Sequence, residues 1–384
     1  MRIVHTSDWH IGKMVNGLSM LDDQKYIIEQ IINFLVEQQA ELLIIAGDLY
    51  DRSIPPTEAV ALLDDALYRI TTQAGIPVIA VSGNHDSPQR LAFASRLYEN
   101  AGLYIEGVYN KEIRKITLTD EFGRVNFFCL PYIEPAIVRA DFPQSKIHSY
   151  DDAMRAVIEY NLPRIDTAER NVIITHGFFS YLKNPNDVIR SDSEITLGGS
   201  DLIDAKYLEI FDYAALGHLH RPQKTGPEKI RYSGSPLKYS VSESSGAKSI
   251  TTLVLREKND LSIKHFELAP LHNMRVIQGS FEALCGTASL GEGKNDYVYA
   301  KLSDDSLIPG AMEKLRCVYP NIIGLELVGR QHENEASLAA AAVKAKEPSV
   351  LFDEFYTAVK GDEITKERMK IAKELFNELK GGEF

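Results

Sequence analysis

Cysteine is scarce in this chain of 384 residues, which contains only Cys129, Cys285 and Cys317. Their number is odd, their spacings are long, and no Cys-x-x-Cys pair occurs. The sequence therefore excludes a disulfide framework and a zinc site built from thiolates. Such sparse cysteine usage fits a reducing compartment, and we expect a cytoplasmic location.

Positive charge is also in short supply. The chain has 42 Lys and Arg residues against 54 Asp and Glu residues, which gives a net charge of −12. A generic nucleic-acid binder usually carries a basic stripe, so this balance argues against a stand-alone DNA-binding protein. A metal-dependent nuclease is a partial exception, because bound cations mask its carboxylates from phosphate. An acidic chain can also take its affinity for DNA from a partner.

Long apolar runs are absent as well. No run approaches the roughly 20 residues that a membrane helix requires, and we expect no contact with a membrane. The first residues, Arg2–Thr6, predict a strand rather than a signal peptide. Hydrophobic residues still make up 44% of the chain, which is ordinary for a globular protein that buries a core.

The chain does contain a regular alternation of apolar and amphipathic segments. Its short apolar runs are typical of strands that are covered on both faces. Leu21–Gln38 and Thr57–Ile70 carry apolar residues at three- and four-residue steps, which predicts helices. This alternation predicts an α/β layered fold and argues against a helix bundle or an all-β fold. The predicted strands are Ile3–Thr6, Leu42–Ala46, Val78–Val81, Val125–Leu130, Val172–Thr175 and Tyr213–Leu216.

The C-terminal third has a different pattern, with shorter strands and then a shift in composition. The elements predicted there are strands at Ser249–Leu255, Leu261–Leu268, Met274–Gly279, Tyr297–Leu302 and Ile322–Val328 and a helix at Ile308–Val318. We divide the chain into a first domain (residues 1–270), a small α+β domain (271–330), a linker (331–348) and a tail (349–384). The linker is polar and then rich in alanine.

The tail, residues 349–384, predicts two short amphipathic helices. Two such helices cannot bury a core alone. Either they fold back onto their own chain, or they form a hairpin that docks against a helix of a partner. The tail carries eight acidic and six basic residues, so it is not a basic DNA-binding arm.

Seven residues of metal-ligand type follow the predicted strands. In open α/β sheets, ligands bind beyond the carboxyl ends of the strands. Each motif is a weak signal alone, and an isolated His176 would more simply be a structural histidine. Five strands that each end in a potential ligand are not explained by chance. The motifs are Asp8-Trp9-His10, Gly47-Asp48, Gly83-Asn84-His85-Asp86, His176-Gly177 and Gly217-His218-Leu219-His220.

These donors are sufficient for two divalent cations. They are carboxylate or amide oxygens and imidazoles, without a thiolate, which favours Mn²⁺, Fe²⁺ or Zn²⁺ over Mg²⁺. Two adjacent cations are a common means of cleaving a phosphate ester. Asp48 is the best candidate to reach both ions, because Gly47 before it allows a sharp turn and a close approach of the backbone.

His85 has a different predicted role from its neighbour Asn84, which offers an oxygen to a metal. An adjacent side chain points elsewhere, so we expect His85 to face the substrate and to donate a proton to the leaving oxygen. Asp51 could hold His85 in the required tautomer. The alternative for His85 is a structural hydrogen bond. Arg52 could contact a phosphate oxygen, and a surface salt bridge is an equally good explanation of it.

The motifs resemble those of the calcineurin-like metallophosphoesterase superfamily and, more closely, of its SbcD branch of bacterial nuclease subunits. The resemblance spans essentially the whole chain. It implies a four-layered α/β/β/α sandwich with a small α+β capping domain and a C-terminal helical tail. The matching segments are His5–Gly12, Gly47–Asp51, Gly83–Pro88, Leu216–Gln223 and Tyr232–Pro236.

The resemblance also implies a division of the ligands between two divalent cations, usually Mn²⁺. One cation would be held by Asp8, His10, Asp48 and His220. The other would be held by Asp48, Asn84, His176 and His218. His85 would assist catalysis without binding metal. In the phosphatase branch, the residue that matches Asp51 pairs with the catalytic histidine, and the residue that matches Arg52 binds phosphate. This chain departs from that branch at the next position, where Ser53 replaces the usual glycine.

An ATP-dependent nuclease in DNA repair, recombination and replication is the activity that this resemblance implies. It would act as a 3′-to-5′ exonuclease on double-stranded DNA and as an endonuclease that opens hairpins. The helices after the second and third strands would form a homodimer. The tail helices would bind the coiled coil of an SbcC-type SMC-like ATPase.

Two other functions remain open. A phosphatase or cyclic-nucleotide phosphodiesterase would use the same metals, but a small-molecule enzyme needs no docking hairpin. A DNA-tethering subunit with vestigial catalysis would not be expected to retain every ligand.

Overall fold

The computed structural model of the protein describes most of the chain. It describes residues 1–194, 201–287 and 293–328 and, within the tail, residues 350–353, 356, 364–365, 368–373 and 376. The predicted linker, residues 331–348, and most of the predicted tail lie outside the described residues.

The strands and helices of the described residues follow the predicted alternation. The strands are β1 (Arg2–Thr6), β2 (Met14–Val15), β3 (Leu18–Ser19), β4 (Leu42–Ala46), β5 (Val78–Val81), β6 (Leu103–Glu106), β7 (Arg114–Asp120), β8 (Gly123–Leu130), β9 (Arg170–His176), β10 (Phe179–Ser180), β11 (Ile203–Asp204), β12 (Tyr213–Gly217), β13 (Gln223–Lys224), β14 (Ile230–Tyr232), β15 (Lys248–Leu255), β16 (Leu261–Leu268), β17 (Met274–Gly279), β18 (Tyr297–Leu302) and β19 (Ile322–Leu327). The α-helices are α1 (Leu21–Glu37), α2 (Thr57–Tyr68), α3 (Pro88–Ala92), α4 (Ser95–Tyr98), α5 (Pro135–Asp141), α6 (Tyr150–Asn161), α7 (Phe281–Thr287) and α8 (Ala311–Arg316).

Two six-stranded sheets form the centre of the fold. The first has the order β16-β15-β1-β4-β5-β6, and the second has the order β13-β14-β12-β9-β8-β7. In the first sheet, β1, β4, β5 and β6 run parallel, while β15 pairs antiparallel with β1 and β16. In the second sheet, β14, β12, β9 and β8 run parallel, and both edge strands are antiparallel. Both sheets are therefore mixed.

Three hydrophobic cores separate four layers. The inner faces of the two sheets pack on each other, as Ile44 and Val81 of the first sheet share a core with Phe127 and Ile174 of the second. The outer face of the first sheet packs against α1 and α2, and that of the second packs against α6. Alternate residues of a strand point to opposite faces, so each central strand contributes to two cores and must be apolar throughout. This arrangement confirms the predicted α/β/β/α sandwich.

The predicted strands of the first 220 residues all occur, with bounds that differ by no more than two residues. The C-terminal region was predicted less completely. Its helix α8 begins at Ala311 rather than Ile308, because Gly310 has a positive φ of 67° and precedes the first helical turn. The helix α7, seven residues long, was not predicted.

The chain divides into two compact units. One comprises Met1–Val276, Leu290–Tyr299 and Arg316–Gly324, and the other comprises Ile277–Ser289, Ala300–Leu315 and Leu325–Phe384. The strands β17, β18 and β19 form a three-stranded sheet in that order. Within the second unit, the predicted tail contains helical residues 350–353 and 368–373, and the rings of Phe352 and Phe376 lie 6.1 Å apart. The predicted domain boundaries stay predictions. Among the described residues, no helix has both the length and the apolarity to cross a membrane.

Candidate metal centre

The seven predicted ligands lie at the carboxyl ends of five strands that belong to both sheets. Three of these strands, β1, β4 and β5, are neighbours in the first sheet, and β9 and β12 are neighbours in the second. Because the sheets pack face to face, the five strand ends meet. Six of the ligands are buried and Asn84 is exposed, so the cluster opens to solvent on the side of Asn84. The ligands are Asp8, His10, Asp48, Asn84, His176, His218 and His220.

One set of donors, which we call the first ligand group, comprises Asp8, His10 and His220. Each offers one ligand atom, and these three atoms lie within 4.8 Å of one another. The Nε2 atoms of His10 and His220 are 3.1 Å apart. Asp8 is held in place by the main-chain N–H of His218, which donates to its carboxylate at 3.0 Å. These contacts place two imidazoles and one carboxylate around a single point.

A second ligand group comprises Asn84, His176 and His218. The Oδ1 atom of Asn84 lies 2.9 Å from His176 Nε2 and 3.0 Å from His218 Nδ1. Asp48 stands between the two groups, with its Oδ2 atom 3.5 Å from His10 Nε2 and 3.4 Å from His176 Nε2. The structure thus brings all seven residues together and places Asp48 within reach of both groups.

The backbone at this centre is strained. Asp8, His10, Asp48 and His218 have φ values of 54°, 45°, 52° and 110°, in a region that non-glycine residues rarely adopt. Strain of this kind persists only where the surrounding structure fixes it, and it clusters at functional sites. Here the turns after the strands are fixed by main-chain hydrogen bonds between the ligand loops, such as Asp8 N to Gly47 O at 3.0 Å.

Two glycines allow the close approach of these loops. A Cβ atom on Gly47, whose φ is +92°, would overlap with the imidazole of His176. A Cβ atom on Gly217 would overlap with the main-chain oxygen of Ala46, which accepts a hydrogen bond from His176 Nδ1 at 2.9 Å. That bond requires a hydrogen on Nδ1, so Nε2, which faces Asn84 and Asp48, is the ring atom available to a cation.

Burial sets the protonation of the cluster. It raises the pKa of Asp8 to about 6. At Asp48, burial acts in the same direction, but the neighbouring His176 and His10 outweigh it and hold the pKa well below its usual range. Burial lowers the pKa of His218 to about 3 and that of His10 well below its usual range. Burial also opposes a charge on His176 and His220, but Asp48 outweighs it at His176 and raises the pKa to about 9, and Glu243 outweighs it at His220 and raises the pKa there. The cluster therefore offers an ionised Asp48 and neutral His10 and His218, and a bound cation would replace the proton that Asp48 stabilises on His176.

A pair of divalent cations fits these donors. The Nε2 atoms of His10 and His220 face each other at 3.1 Å, so either they share one hydrogen or their two lone pairs converge on the same point. The amide oxygen of Asn84 likewise faces two imidazole nitrogens. Converging lone pairs repel one another unless protons or a cation separate them. Mixed oxygen and imidazole donors are typical of sites for Mn²⁺, Fe²⁺ and Zn²⁺.

His85 and Asp51 are close to each other, but the contact differs from the one expected. The Nδ1 atom of His85 lies 2.9 Å from the main-chain oxygen of Asp51. The carboxylate of Asp51 instead lies 2.8 Å from Lys13 Nζ and 3.6 Å from His10 Nδ1. A carbonyl oxygen only accepts, so Nδ1 of His85 carries a hydrogen and its Nε2 atom is left for other partners. The ring is half-buried and stacks edge-on against His10 at 4.7 Å.

Arg52 lies at the surface next to this cluster. Its side chain is 58% exposed, and its guanidinium reaches only to 4.0 Å from the carboxylate of Asp51. This position leaves both sequence interpretations of Arg52 open.

Several residues that support the ligands were not found from the sequence. Asp86 accepts hydrogen bonds from the main-chain N–H groups of Leu49, Tyr50 and Gly83, at 2.9–3.1 Å, and so joins the loops after β4 and β5. The motif Gly83–Asp86 contained this residue without indicating its partners. Glu243 contacts His220 from a distant loop, and no signal in the sequence identifies it.

Two families match parts of this chain. Residues 1–222 match the family described as Calcineurin-like phosphoesterase. Residues 270–360 match the family described as Type 5 capsule protein repressor C-terminal domain. The first match covers more than half of the chain and includes all seven predicted ligands.

Several individual proteins are similar to this chain. The SbcD subunit of the SbcCD nuclease of Staphylococcus epidermidis is 35% identical over 358 residues, which cover 93% of this chain and 92% of the relative. A dimetal phosphatase from Danio rerio is 11% identical with a TM-score of 0.38, over 71% of this chain and 98% of that one. A hypothetical protein from Thermus thermophilus is 12% identical with a TM-score of 0.36, over 70% of this chain and 100% of that one. The family matches and the 35% identical relative show that the chain belongs to the calcineurin-like phosphoesterase family of metal-dependent hydrolases and, within it, to the SbcD nuclease subunits.

Proposed function

We propose that the chain is a nuclease that hydrolyses phosphodiester bonds of DNA with two divalent cations, of which Mn²⁺ is favoured. The observation that carries the proposal is the convergence of seven oxygen and imidazole donors, with three on either side of the shared Asp48. When bound, two adjacent cations activate water for attack on phosphorus and neutralise charge on the phosphoryl oxygens. Membership of the SbcD subunits favours DNA as the substrate.

The site residues have two proposed roles, which are metal binding and proton transfer. Asp8, His10 and His220 hold one cation, and the second ligand group holds the other, with Asp48 shared. His85 stands outside both groups with its Nδ1 atom held by the carbonyl of Asp51. Its free Nε2 side is available to donate a proton to the leaving oxygen. The main-chain oxygen of Asp51 accepts the hydrogen bond from His85 Nδ1 and so orients the ring.

The role of His85 gives a first prediction. His85→Ala removes the proton donor but no proposed ligand, so we expect cleavage to fall ~10²–10⁴-fold while both cations stay bound. Mn²⁺ content by elemental analysis, measured beside the cleavage rate, checks this. Loss of a cation from the variant would mean that His85 is itself a ligand.

The substrate is tested with hairpin DNA. We expect the purified protein with Mn²⁺ to cleave a hairpin duplex in the presence of its ATPase partner and ATP, with 3′-to-5′ digestion of duplex ends. Hydrolysis of p-nitrophenyl phosphate esters, with hairpin DNA left intact even beside the partner, would instead support a phosphatase or a cyclic-nucleotide phosphodiesterase.

An SbcC-type SMC-like ATPase is the proposed partner of the C-terminal tail. The relative from Staphylococcus epidermidis is named as a subunit of a complex, and it covers 93% of this chain. Helical residues on both sides of the predicted tail hairpin meet through Phe352 and Phe376. Deletion of residues 349–384 should abolish co-purification with the ATPase and leave the Mn²⁺ content unchanged. Unchanged co-purification would place the interface elsewhere.

A homodimer through the helices after β4 and β5 is proposed on the basis of an exposed apolar surface. A groove of about 470 Å³ lies between α2 and the α3–α4 segment. Phe93, which lines the groove, is 78% exposed, and Leu97 on the neighbouring α4 is 74% exposed. Clusters of exposed apolar residues rimmed by polar ones are typical of protein–protein interaction sites.

The proposed dimer can be tested by substitution. We expect the double variant Phe93→Asp and Leu97→Asp to be monomeric at micromolar concentrations, because charge is costly to bury in an apolar interface. Sedimentation velocity measures the mass. Phe122→Asp, in the turn between β7 and β8, is a matched control at an exposed aromatic residue and should keep the wild-type mass. A wild-type protein that sediments as a monomer would contradict the proposed dimer.

A further inference from the structure

His220 is held on three sides by residues that lie outside the ligand motifs. Its Nδ1 atom lies 3.0 Å from Ser193 Oγ and 3.3 Å from Glu243 Oε1. Its main-chain N–H donates to Glu194 Oε1, and its main-chain oxygen accepts from Lys248 Nζ at 2.7 Å. Ring and backbone are therefore both fixed, although His220 follows the end of β12 in a loop.

Glu243 and Lys248 form a buried ion pair within this cluster. Lys248 Nζ donates to Glu243 Oε2 at 2.6 Å, and the side chains of Lys248 and Glu243 are only 7% and 5% exposed, respectively. Lys248 also donates to Ser235 Oγ at 2.8 Å, so all three of its hydrogens have partners. Removing two charges from water is costly, and buried ion pairs are often replaceable by apolar residues without loss of stability. Stability alone therefore does not explain the pair.

The contact between Glu243 and the ring has a chemical consequence. An ionised carboxylate only accepts hydrogen bonds, and the hydroxyl of Ser193 donates to the same Oε1 atom at 3.0 Å. Nδ1 of His220 must then carry the hydrogen, and the lone pair lies on Nε2. That atom faces Nε2 of His10 at 3.1 Å, inside the first ligand group. Metal-binding histidines characteristically donate their other ring N–H to a carboxylate or carbonyl, which fixes the tautomer and the ring orientation.

We infer that Glu243 and Lys248 act as a positioning pair that holds His220 in its metal-binding tautomer and orientation. This inference rests on the proposed role of His220 as a ligand. Glu243 orients the ring, and Lys248 holds both the carboxylate and the main chain of His220. Both residues act through His220, and neither belongs to a ligand group. The pair therefore determines how tightly the first ligand group binds its cation.

The test removes the pair without leaving an unpaired buried charge. The double variant Glu243→Leu and Lys248→Met replaces both residues with apolar side chains of similar volume. We expect it to fold, to bind one Mn²⁺ about 10–100-fold more weakly than the wild type and to bind the other normally. Isothermal titration with Mn²⁺ measures both affinities. Electron paramagnetic resonance should show the spin-coupled Mn²⁺ signal reduced at concentrations that saturate the wild type.

Two reference proteins complete the experiment. The matched control, Asp212→Asn with Lys258→Met, removes another buried carboxylate, 1% exposed, and its lysine partner at 2.7 Å. Neither residue has a described contact with a proposed ligand, so both Mn²⁺ affinities should equal those of the wild type. The variant His220→Ala should lose one cation.

The outcomes separate the inference from the proposed function. Wild-type Mn²⁺ affinities in the Glu243 and Lys248 double variant, together with loss of a cation in His220→Ala, would overturn the positioning pair alone. Two cations bound normally by His220→Ala would overturn the assignment of His220 as a ligand. Equal weakening by the matched control would show that loss of any buried ion pair perturbs the centre, and it would also overturn the inference.

Discussion

The two ligand groups of the centre are supported in different ways. In the first group, each imidazole has a carboxylate–lysine pair behind it. The positioning pair lies behind His220, and Asp51 with Lys13 lies behind His10, with the Asp51 carboxylate 3.6 Å from the ring and 2.8 Å from the lysine. Glu243 therefore orients the ring of His220 directly, whereas Nδ1 of His10 has no hydrogen-bond partner among the described residues and the Asp51 carboxylate acts on this ring only by its charge.

The second group depends on the backbone instead. His176 donates to the main-chain oxygen of Ala46. The buried Nε2 atom of His218 has no hydrogen-bond partner among the described residues. Where charged side chains orient the ligands, neutralising one of those charges should lower the affinity of the group for its cation. A group fixed by the main chain is sensitive to the packing of its loops. The difference therefore predicts which substitutions weaken which cation.

A substitution at Asp48 should weaken both groups, because its carboxylate lies 3.5 Å from His10 and 3.4 Å from His176. We expect Asp48→Asn, which keeps the shape and removes the charge, to lower the affinity of both Mn²⁺ ions and to reduce DNA cleavage by ~10²–10³-fold or more. Metal titration and a cleavage assay measure the two effects. A variant that loses one cation only would show that Asp48 belongs to a single group.

Substitution of Gly217 should have a smaller effect, which lowers the Mn²⁺ affinity of the second group only. In Gly217→Ala the new Cβ atom would displace Ala46 O or His176 Nδ1, which is the contact that orients the second group. We expect one Mn²⁺ to bind about 10–100-fold more weakly, while the first group keeps its cation. Gly286→Ala is the control, because a Cβ atom there meets open space. Equal loss of both cations from Gly217→Ala would argue against a separate, backbone-built group.

Much of this centre could be predicted from the sequence because its ligands are local to strand ends. Asp8 and Asp48 each follow an apolar run by one or two residues, and such runs form adjacent parallel strands whose carboxyl ends meet. The same local rule predicted the central strands, since a strand buried on both faces must be apolar throughout. The four-layered arrangement came from the family resemblance, and the packing of the two sheets confirms it.

The residues that support the ligands could not be found by this rule. Glu243 reaches His220 from a loop between β14 and β15, and its approach depends on the path of that loop in three dimensions. Residue spacing also could not decide which oxygen of Asp51 contacts His85. The main chain turns there so that the carbonyl makes the contact and the carboxylate turns to Lys13.

The smallest predicted effect concerns the carboxylate–lysine pair behind His10. Lys13→Met removes the partner of Asp51 and lets its carboxylate turn to water, so His10 loses a weak constraint. We expect the first cation to bind about threefold to tenfold more weakly, at the low end of such effects, because Lys13 is partly exposed and its ion pair is screened. Arg52→Met is the matched control, since Arg52 is 58% exposed and 4.0 Å from the same carboxylate. It should leave both Mn²⁺ affinities unchanged. If Arg52→Met weakened Mn²⁺ binding more than Lys13→Met, then Arg52 rather than Lys13 would be the basic side chain that holds the Asp51 carboxylate. If Arg52→Met lost cleavage while its Mn²⁺ affinities stayed normal, Arg52 would be assigned to phosphate binding.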